Sequence, residues 1–329
     1  MSQVLHTSPI PFRPFGRAPG VEKRDFLSLH DLSVTEMAAL LDHAAEVKAH
    51  PSAFAGALEG RTAALIFEKP SLRTRVSFEV GLLQLGAHGI YLAPADIGLG
   101  KREAVKDVAR NLALWVDALV MRTFSQRILE DMALQGRIPV INALSDLLHP
   151  CQTVADLLTL RECKGQLQGL RVAFIGDGNN VAHSLAHGAA KVGLHLTIAS
   201  PPNFEPASTI LMQALADANA TGATIRVMND PAEAVRDADA VYTDVWASMG
   251  QEQEAEERKI IFAAYQVNAS LLALAKPDAV FLHCLPAHRG EEVTTEVLDG
   301  PQSVALQQAA NRLHAHKAIL LSLLAEAPD

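Results

Sequence analysis

Short apolar runs of strand length alternate with stretches of helical periodicity through almost all of the 329 residues, and nothing else in the chain constrains its fold so tightly. In the first half the strand candidates are Thr62–Phe67, His88–Leu92, Ala118–Met121 and Pro139–Asn142. In the second half they are Arg171–Ile175, Leu194–Ala199, Thr224–Met228, Ala240–Asp244 and Ala279–Cys284. Between them lie helical patterns. Ser33-Val34-Thr35-Glu36 reads as a capping box, after which Met37, Leu40, Leu41 and Ala44 line one face. Ala104–Val116 reads as a helix with Val105, Val108, Leu112 and Trp115 inward, a further helix runs from Cys151 to about Lys164, and a long one from about Gln302 to Ala325. Strands alternating with helices require parallel sheets covered on both faces. The polar stretch Lys164–Gly169 divides the pattern into two blocks. The expectation is an α/β protein of two doubly wound parallel-sheet domains, residues 21–163 and 164–305, with a cleft between them. Residues 1–20, rich in Pro, Gly and polar residues, read as a flexible tail without an apolar signal core.

Ligands of such folds sit outside the carboxyl ends of the strands, and the chemically interesting residues fall there. Ser71-Leu72-Arg73-Thr74-Arg75 follows the first strand and Pro70, where a helical pattern with Val76, Val80 and Leu83 begins. Free N–H groups at a helix start, two hydroxyls and a guanidinium make an anion cradle. The same residues also fit a serine cap with solvated arginines, and the motif alone does not choose. Arg122, His149-Pro150-Cys151-Gln152, Gly176-Asp177-Gly178-Asn179-Asn180, Asp244 with Ser248-Met249-Gly250, and His283-Cys284-Leu285-Pro286 all follow strand candidates. The Gly176–Asn180 turn lacks the third glycine of a dinucleotide fingerprint, and Asp177 in it would repel a pyrophosphate. His183 and His187 have i, i+4 spacing without the glutamate of a zinc helix, so they read as ordinary core or surface histidines rather than metal ligands.

Lys and Arg number 28 against 37 Asp and Glu, a formal charge of −9. That argues against general nucleic-acid binding while allowing a local basic pocket. Three widely spaced cysteines, Cys151, Cys163 and Cys284, suggest no disulfide framework and a reducing, cytoplasmic setting. No apolar run reaches membrane-spanning length.

Taken together, the Ser71–Arg75, His149–Gln152, Asp244/Ser248–Gly250 and His283–Pro286 motifs resemble, in order and spacing from about Val21 onward, the aspartate/ornithine carbamoyltransferase family. The last two motifs resemble its ornithine branch. The resemblance implies transfer of the carbamoyl group of carbamoyl phosphate to the δ-amine of L-ornithine, giving L-citrulline and phosphate, with arginine synthesis as the default role. It implies a carbamoyl phosphate domain (21–163, with the C-terminal helix of about 306–329 packed back on it) and an ornithine domain (164–305). It further implies that Ser71, Leu72, Arg73, Thr74 and Arg122 grip the phosphate, that His149, Arg312, Cys284 and Leu285 polarise the carbamoyl carbonyl, and that Gln152 orients its NH2. His149, Cys284 and Arg312 would be the catalytic groups, with the Cys284 thiolate, linked to Asp244, helping to take the amine's proton. Asn180, Asp244, Ser248 and Met249 would hold ornithine, and the Asp244–Glu257 region would close over it as a lid. No metal or other cofactor is expected, and the assembly would be a homotrimer or built from trimers.

Three positions depart from the family pattern. Leu72 stands where Thr or Met is common. Gly98 stands where a Gln or His usually reaches a neighbouring subunit's site, and Ala310 stands where Glu is usual near Arg312. The competing readings are a carbamoyltransferase for another amine (acetylornithine, succinylornithine, putrescine) and a catalytically silent binding or regulatory paralogue. An NAD-linked dehydrogenase would rest on the broken glycine turn alone.

Overall fold

The computed structural model describes residues 23–100, 102–247 and 254–325. The tail 1–20 and Ser248, Met249 and Gly250 therefore lie outside the described residues. The first sheet holds β1 (Thr62–Phe67), β2 (His88–Leu92), β3 (Ala118–Arg122) and β4 (Val140–Leu144), all parallel, in the order β2-β1-β3-β4. Its helices are α1 (Val34–Ala49), α2 (Leu72–Gln84), α3 (Pro94–Ile97), α4 (Val105–Leu112) and α5 (Gln126–Gln135). Helix α6 (Pro150–Lys164) leads into the second sheet. That sheet holds β5 (Arg171–Ile175), β6 (His195–Ala199), β7 (Ile225–Met228), β8 (Ala240–Thr243) and β9 (Val280–His283), parallel in the order β7-β6-β5-β8-β9. Around it lie α7 (Asn180–Val192), α8 (Ser208–Ala218), α9 (Pro231–Val235), α10 (Ala255–Phe262), α11 (Ala269–Leu272) and α12 (Thr295–Leu298). The long α13 (Ala305–Leu324) ends the described chain.

In β1, β3, β4 and β8 consecutive residues are buried because both faces are covered, and alternate residues go to different cores. Ala63, Leu65 and Phe67 of β1 join the largest apolar cluster, whereas Ala64 and Ile66 face a second one under α4 and α5. In the same way Phe174 and Tyr242 point into the largest cluster, and Ile175 and Val241 into a third. The largest cluster runs without a break between the two sheets through α1, α6, α7 and α13. Helix α13 packs against α6, α2 and α1, so the C-terminal helix does lie on the first sheet's side of the molecule.

Ser33 caps α1 in a full capping box with Glu36, and Met37, Leu40, Leu41 and Ala44 are buried. One expected face is corrected. Trp115 is 71% exposed, because α4 ends at Leu112 and the buried Val116 takes the inward place. On α2 the buried residues are Thr74, Phe78, Gly81 and Leu82, while Val76 and Leu83 face outward. Periodicity defined that helix but did not say which of its two apolar stripes is covered.

Candidate active site

The polar candidates converge where strand order reverses, beyond β1 and β3 in one sheet and beyond β5 and β8 in the other. A cavity of about 300 Å³ lies there, lined from the first half by Ser71, Leu72, Arg73, Thr74, Arg122 and His149, and from the second by Asn180, Asp244, Cys284 and Leu285. Arg312 of α13 lines it too.

The anion side begins at the N-terminus of α2. Ser71 is the N-cap, its Oγ accepting from Thr74 N–H at 3.2 Å, and the first turn carries no acidic residue. The cap and the cradle, which the motif alone could not separate, are thus the same feature. Thr74 Oγ1 accepts from Arg312 Nη2 at 2.6 Å, and Arg312 Nη1 donates to Gln152 Oε1 at 2.7 Å. Arg73, Arg122 and Arg312 crowd together. Burial first, then the Arg312 and Arg73 charges, push Arg122 down to about 10, and burial lowers Arg73 and Arg312 as well. The Nε atoms of Arg122 and Arg312 are buried and find no hydrogen-bond acceptor among the described residues. Three crowded guanidinium groups, two of them with orphaned Nε donors, at a helix N-terminus form a site for a multiply charged oxyanion.

His149 is the N-cap residue of α6 and is buried, its main-chain N–H donating to Ser184 Oγ at 2.7 Å. Burial, with Arg312 and Arg122 nearby, drives its pKa well below the ordinary histidine value, so the ring is neutral. Gln152 stands one layer behind the cavity, not on its wall. Its Nε2 donates to Asp156 Oδ1 at 2.8 Å while its Oε1 holds Arg312. As placed here, Gln152 orients Arg312.

On the opposite wall Asp244 follows β8. Its Oδ1 accepts from Cys284 Sγ at 2.9 Å and its Oδ2 from Asn179 Nδ2 at 2.8 Å. Burial and the adjacent Asp244 raise the Cys284 thiol well above its usual range. The Cys284 thiol donates to Asp244, and burial beside that carboxylate disfavours its thiolate form. Asn180 Nδ2 donates to Ser145 O at 2.6 Å, tying the second half of the site to the loop after β4. The predicted ornithine contacts Ser248 and Met249 lie outside the described residues. The root of the expected lid is anchored. Trp246 is buried against Phe262, and its carbonyl accepts from Arg258 Nη1 at 2.8 Å, while the same guanidinium group pairs with Asp177 at 3.2 Å.

The glycine turn after β5 serves the backbone. A Cβ on Gly178 would lie 2.2 Å from Pro206 N. His183 is structural, its Nδ1–H donating to Leu147 O and its Nε2 accepting from Ala207 N–H, both at 2.9 Å. Arg75 lies over the Tyr91 ring and pairs with Glu79. Ala310 is exposed on α13, away from Arg312, whose partners are Gln152 and Thr74. Asp244, His283 and Cys284 offer donor atoms within 4.8 Å of one another, but both His283 nitrogens and the Cys284 thiol are already engaged in hydrogen bonds. Sequence reasoning missed Lys69, Asp156 and His288, and named Asn179 only as part of the glycine turn. Lys69 and His288 line the cavity; Asn179 and Asp156 hold Asp244 and Gln152. For Asp156 a signal existed, a carboxylate inside the apolar run Cys151–Leu160.

Residues 24–162 match the family model described as aspartate/ornithine carbamoyltransferase, carbamoyl-P binding domain, and residues 168–323 match the one described as its Asp/Orn binding domain. The chain is 55% identical to an ornithine carbamoyltransferase of Anoxybacillus flavithermus over 303 residues, covering 92% of this chain and 96% of the relative. It is 51% identical to that of Bacillus subtilis over 92% of this chain and 94% of the relative. The solved ornithine carbamoyltransferase from Pyrococcus furiosus superposes with a TM-score of 0.89 at 48% identity, covering 92% of this chain and 97% of that one.

Proposed function

The chain belongs to the aspartate/ornithine carbamoyltransferase family, and from that premise we propose that its cavity transfers the carbamoyl group of carbamoyl phosphate to the δ-amine of L-ornithine. The observation that carries the reading is the facing of two unlike walls. Ser71, Thr74 and three arginines line one wall as a dianion site, and across about 300 Å³ the Asp244 carboxylate, beside Cys284, offers a cation site on the other. Residues 21–163 with α13 hold the donor, and residues 164–305 hold the acceptor.

In this mechanism Ser71, Arg73, Thr74, Arg122 and the α2 N–H groups, that of Leu72 included, bind the phosphate of the donor. Arg312, aimed by Gln152, and the neutral His149 ring polarise the carbamoyl oxygen beside the Cys284–Leu285 backbone. Asp244 pairs with the α-ammonium of ornithine, with Asn180, Ser248 and Met249 toward its carboxylate. The cluster of arginines disfavours a second ammonium, so the δ-amine is presented neutral, against its usual pKa of about 10.4. Its lone pair attacks the carbamoyl carbon. The C–O bond to phosphate then breaks with its electron pair going to the phosphate, and the nitrogen loses one proton. With the Cys284 thiol donating to Asp244 and the His149 ring held neutral by burial, the departing phosphate takes that proton and leaves as the hydrogen phosphate dianion. Held geometry and oxyanion donors supply most of the rate.

The role is placed in arginine synthesis, in the cytoplasm, where the three unpaired cysteines would stay reduced. A homotrimer, or an assembly of trimers, is the proposed state. The edge strand β2 is exposed or half-exposed along its whole length, and Leu72, Val76 and Leu83 of α2 are exposed. The test is initial-rate kinetics with carbamoyl phosphate and a panel of ornithine, acetylornithine, succinylornithine and putrescine, scoring ureido product. Ornithine is expected to be turned over far faster than the others. A faster rate with another amine overturns the acceptor, and no product with any amine overturns carbamoyl transfer.

A further inference from the structure

Immediately behind the Cys284–Leu285 wall lies a pair that the mechanism does not use. His283 and Glu292 are both fully buried, with His283 Nε2 and Glu292 Oε1 3.1 Å apart. Leu285 N–H donates to His283 Nδ1 at 2.9 Å, and His288 N–H donates to the same Glu292 Oε1 at 2.6 Å. Neither side chain lines the cavity.

The hydrogen bonds fix the chemistry of the imidazole. Because Nδ1 accepts from a main-chain N–H, the proton sits on Nε2 and must be donated onward, and Glu292 is the acceptor. One carboxylate oxygen therefore holds the turn at both ends: at Leu285 through His283, and at His288 directly. The held segment is strained. Leu285 has φ +57, a left-handed conformation that a side-chain-bearing residue keeps only when its surroundings over-determine it. Main-chain bonds reach the same turn from farther away, since His283 N–H donates to Gln308 Oε1 of α13, one helical turn before Arg312.

We infer that Glu292 is a positioning residue for the carbamoyl transfer: acting through His283, it holds the Cys284–Leu285 backbone against the cavity so that Cys284 meets Asp244. This rests on the function proposed above and adds the group that sets the geometry of the acceptor wall. What matters in the brace is the location of the oxygen more than its charge. In Glu292→Gln the amide oxygen would still accept from both donors, and the amide NH2 would replace an Oε2 that already has no hydrogen-bond partner. Glu292→Asp keeps the charge and withdraws the oxygen by one carbon–carbon bond.

The test compares Glu292→Gln and Glu292→Asp with wild type, measuring kcat, KM for ornithine and the inhibition constant of inorganic phosphate. E292Q is expected to stay within about threefold of wild type, and E292D to lose at least about tenfold in kcat with a raised ornithine KM, as misplacement of a catalytic wall predicts. Phosphate inhibition should stay within about twofold in both, because among the described residues no hydrogen bond joins Ser71, Arg73 or Arg122 to the turn or to the His283–Glu292 pair. Wild-type kinetics in E292D, a larger loss in E292Q than in E292D, or a parallel loss of phosphate affinity in E292D would each overturn the brace. Should E292D not fold, His283→Asn, which keeps an acceptor for Leu285 N–H and loses Glu292, is expected to show the same split, and wild-type kinetics there would overturn it. Failure of wild type to carbamoylate ornithine would instead strike the proposed function.

Discussion

Replacing His43 by leucine should make the protein tolerate acid, by an amount the structure sets. His43 lies on α1 among Leu40, Leu41, Ala44 and Val47, is 1% exposed, and meets the Phe54 ring edge-on at 5.5 Å. Burial alone lowers its pKa from 6.5 to about 4. Between those values the unfolded chain binds a proton that the folded chain refuses, so stability falls as pH falls. The neutral ring's contribution is complete above 6.5 and is lost on the way down to about 4. Integrating the linkage to about pH 4.5 gives a loss of about 2.6 kcal/mol, against less than about 0.1 kcal/mol at about pH 7.5. Leucine binds no proton, so urea unfolding of His43→Leu and wild type, at one protein concentration, should differ by about 2.5 kcal/mol more at about pH 4.5 than at about pH 7.5. His187 and His314, also pushed down to about 4, are common to both proteins and cancel. A wild-type-to-variant difference that is the same at both pH values would refute the reasoning.

Arg312→Lys keeps a charge and loses the fork that spans Gln152 Oε1 and Thr74 Oγ1; kcat should fall by about 10²–10³, and a loss under about tenfold in steady-state assays would remove Arg312 from the oxyanion donors. Gly178→Ala forces a Cβ to within 2.4 Å of main-chain atoms of Glu205 and Pro206 and should cost about 3 kcal/mol in denaturant unfolding. Gly165→Ala, with φ +82 but nothing within 4 Å of the new Cβ, should cost about 1 kcal/mol. Gly178 has no positive φ, so a cost there no larger than at Gly165 would refute the close approach to Glu205 and Pro206.

The strands were legible because a parallel strand covered on both faces is an uninterrupted apolar run. β1, β2 and β5 begin and end where the sequence places them, and β3 runs one residue further because Arg122 still pairs in the ladder. Outward faces were less legible. Leu83 and Phe78 are both apolar residues of one helix, and only the position of α13 decides which is covered. Within the site, residues that follow strands were found, since position in a parallel fold is itself a signal. Partners were not. Gln152 with Arg312, Asn179 with Asp244 and His283 with Glu292 depend on where side chains meet after folding, and the first of these spans 160 positions. The sequence names Gln152 as a polar residue near the donor, and it takes the Asp156 carboxylate, which claims the amide NH2, to turn the oxygen toward the guanidinium group.

The placement of α13 has a consequence for how the chain is made. The helix supplies Ala315, Ala318, Ile319 and Leu320 to the core beneath the first sheet and Arg312 to the cavity. About 160 residues, from the end of α6 to the last residue of α13, Leu324, must be added before the helix is complete. At roughly 5–20 residues per second the ribosome takes about 8–30 s to cover that distance. Throughout that interval the emerged first half has an open apolar groove between α1, α2 and α6 and an anion cradle lacking one guanidinium. Phosphate-bearing ligands thus meet a finished site only once the second half has been translated through to α13.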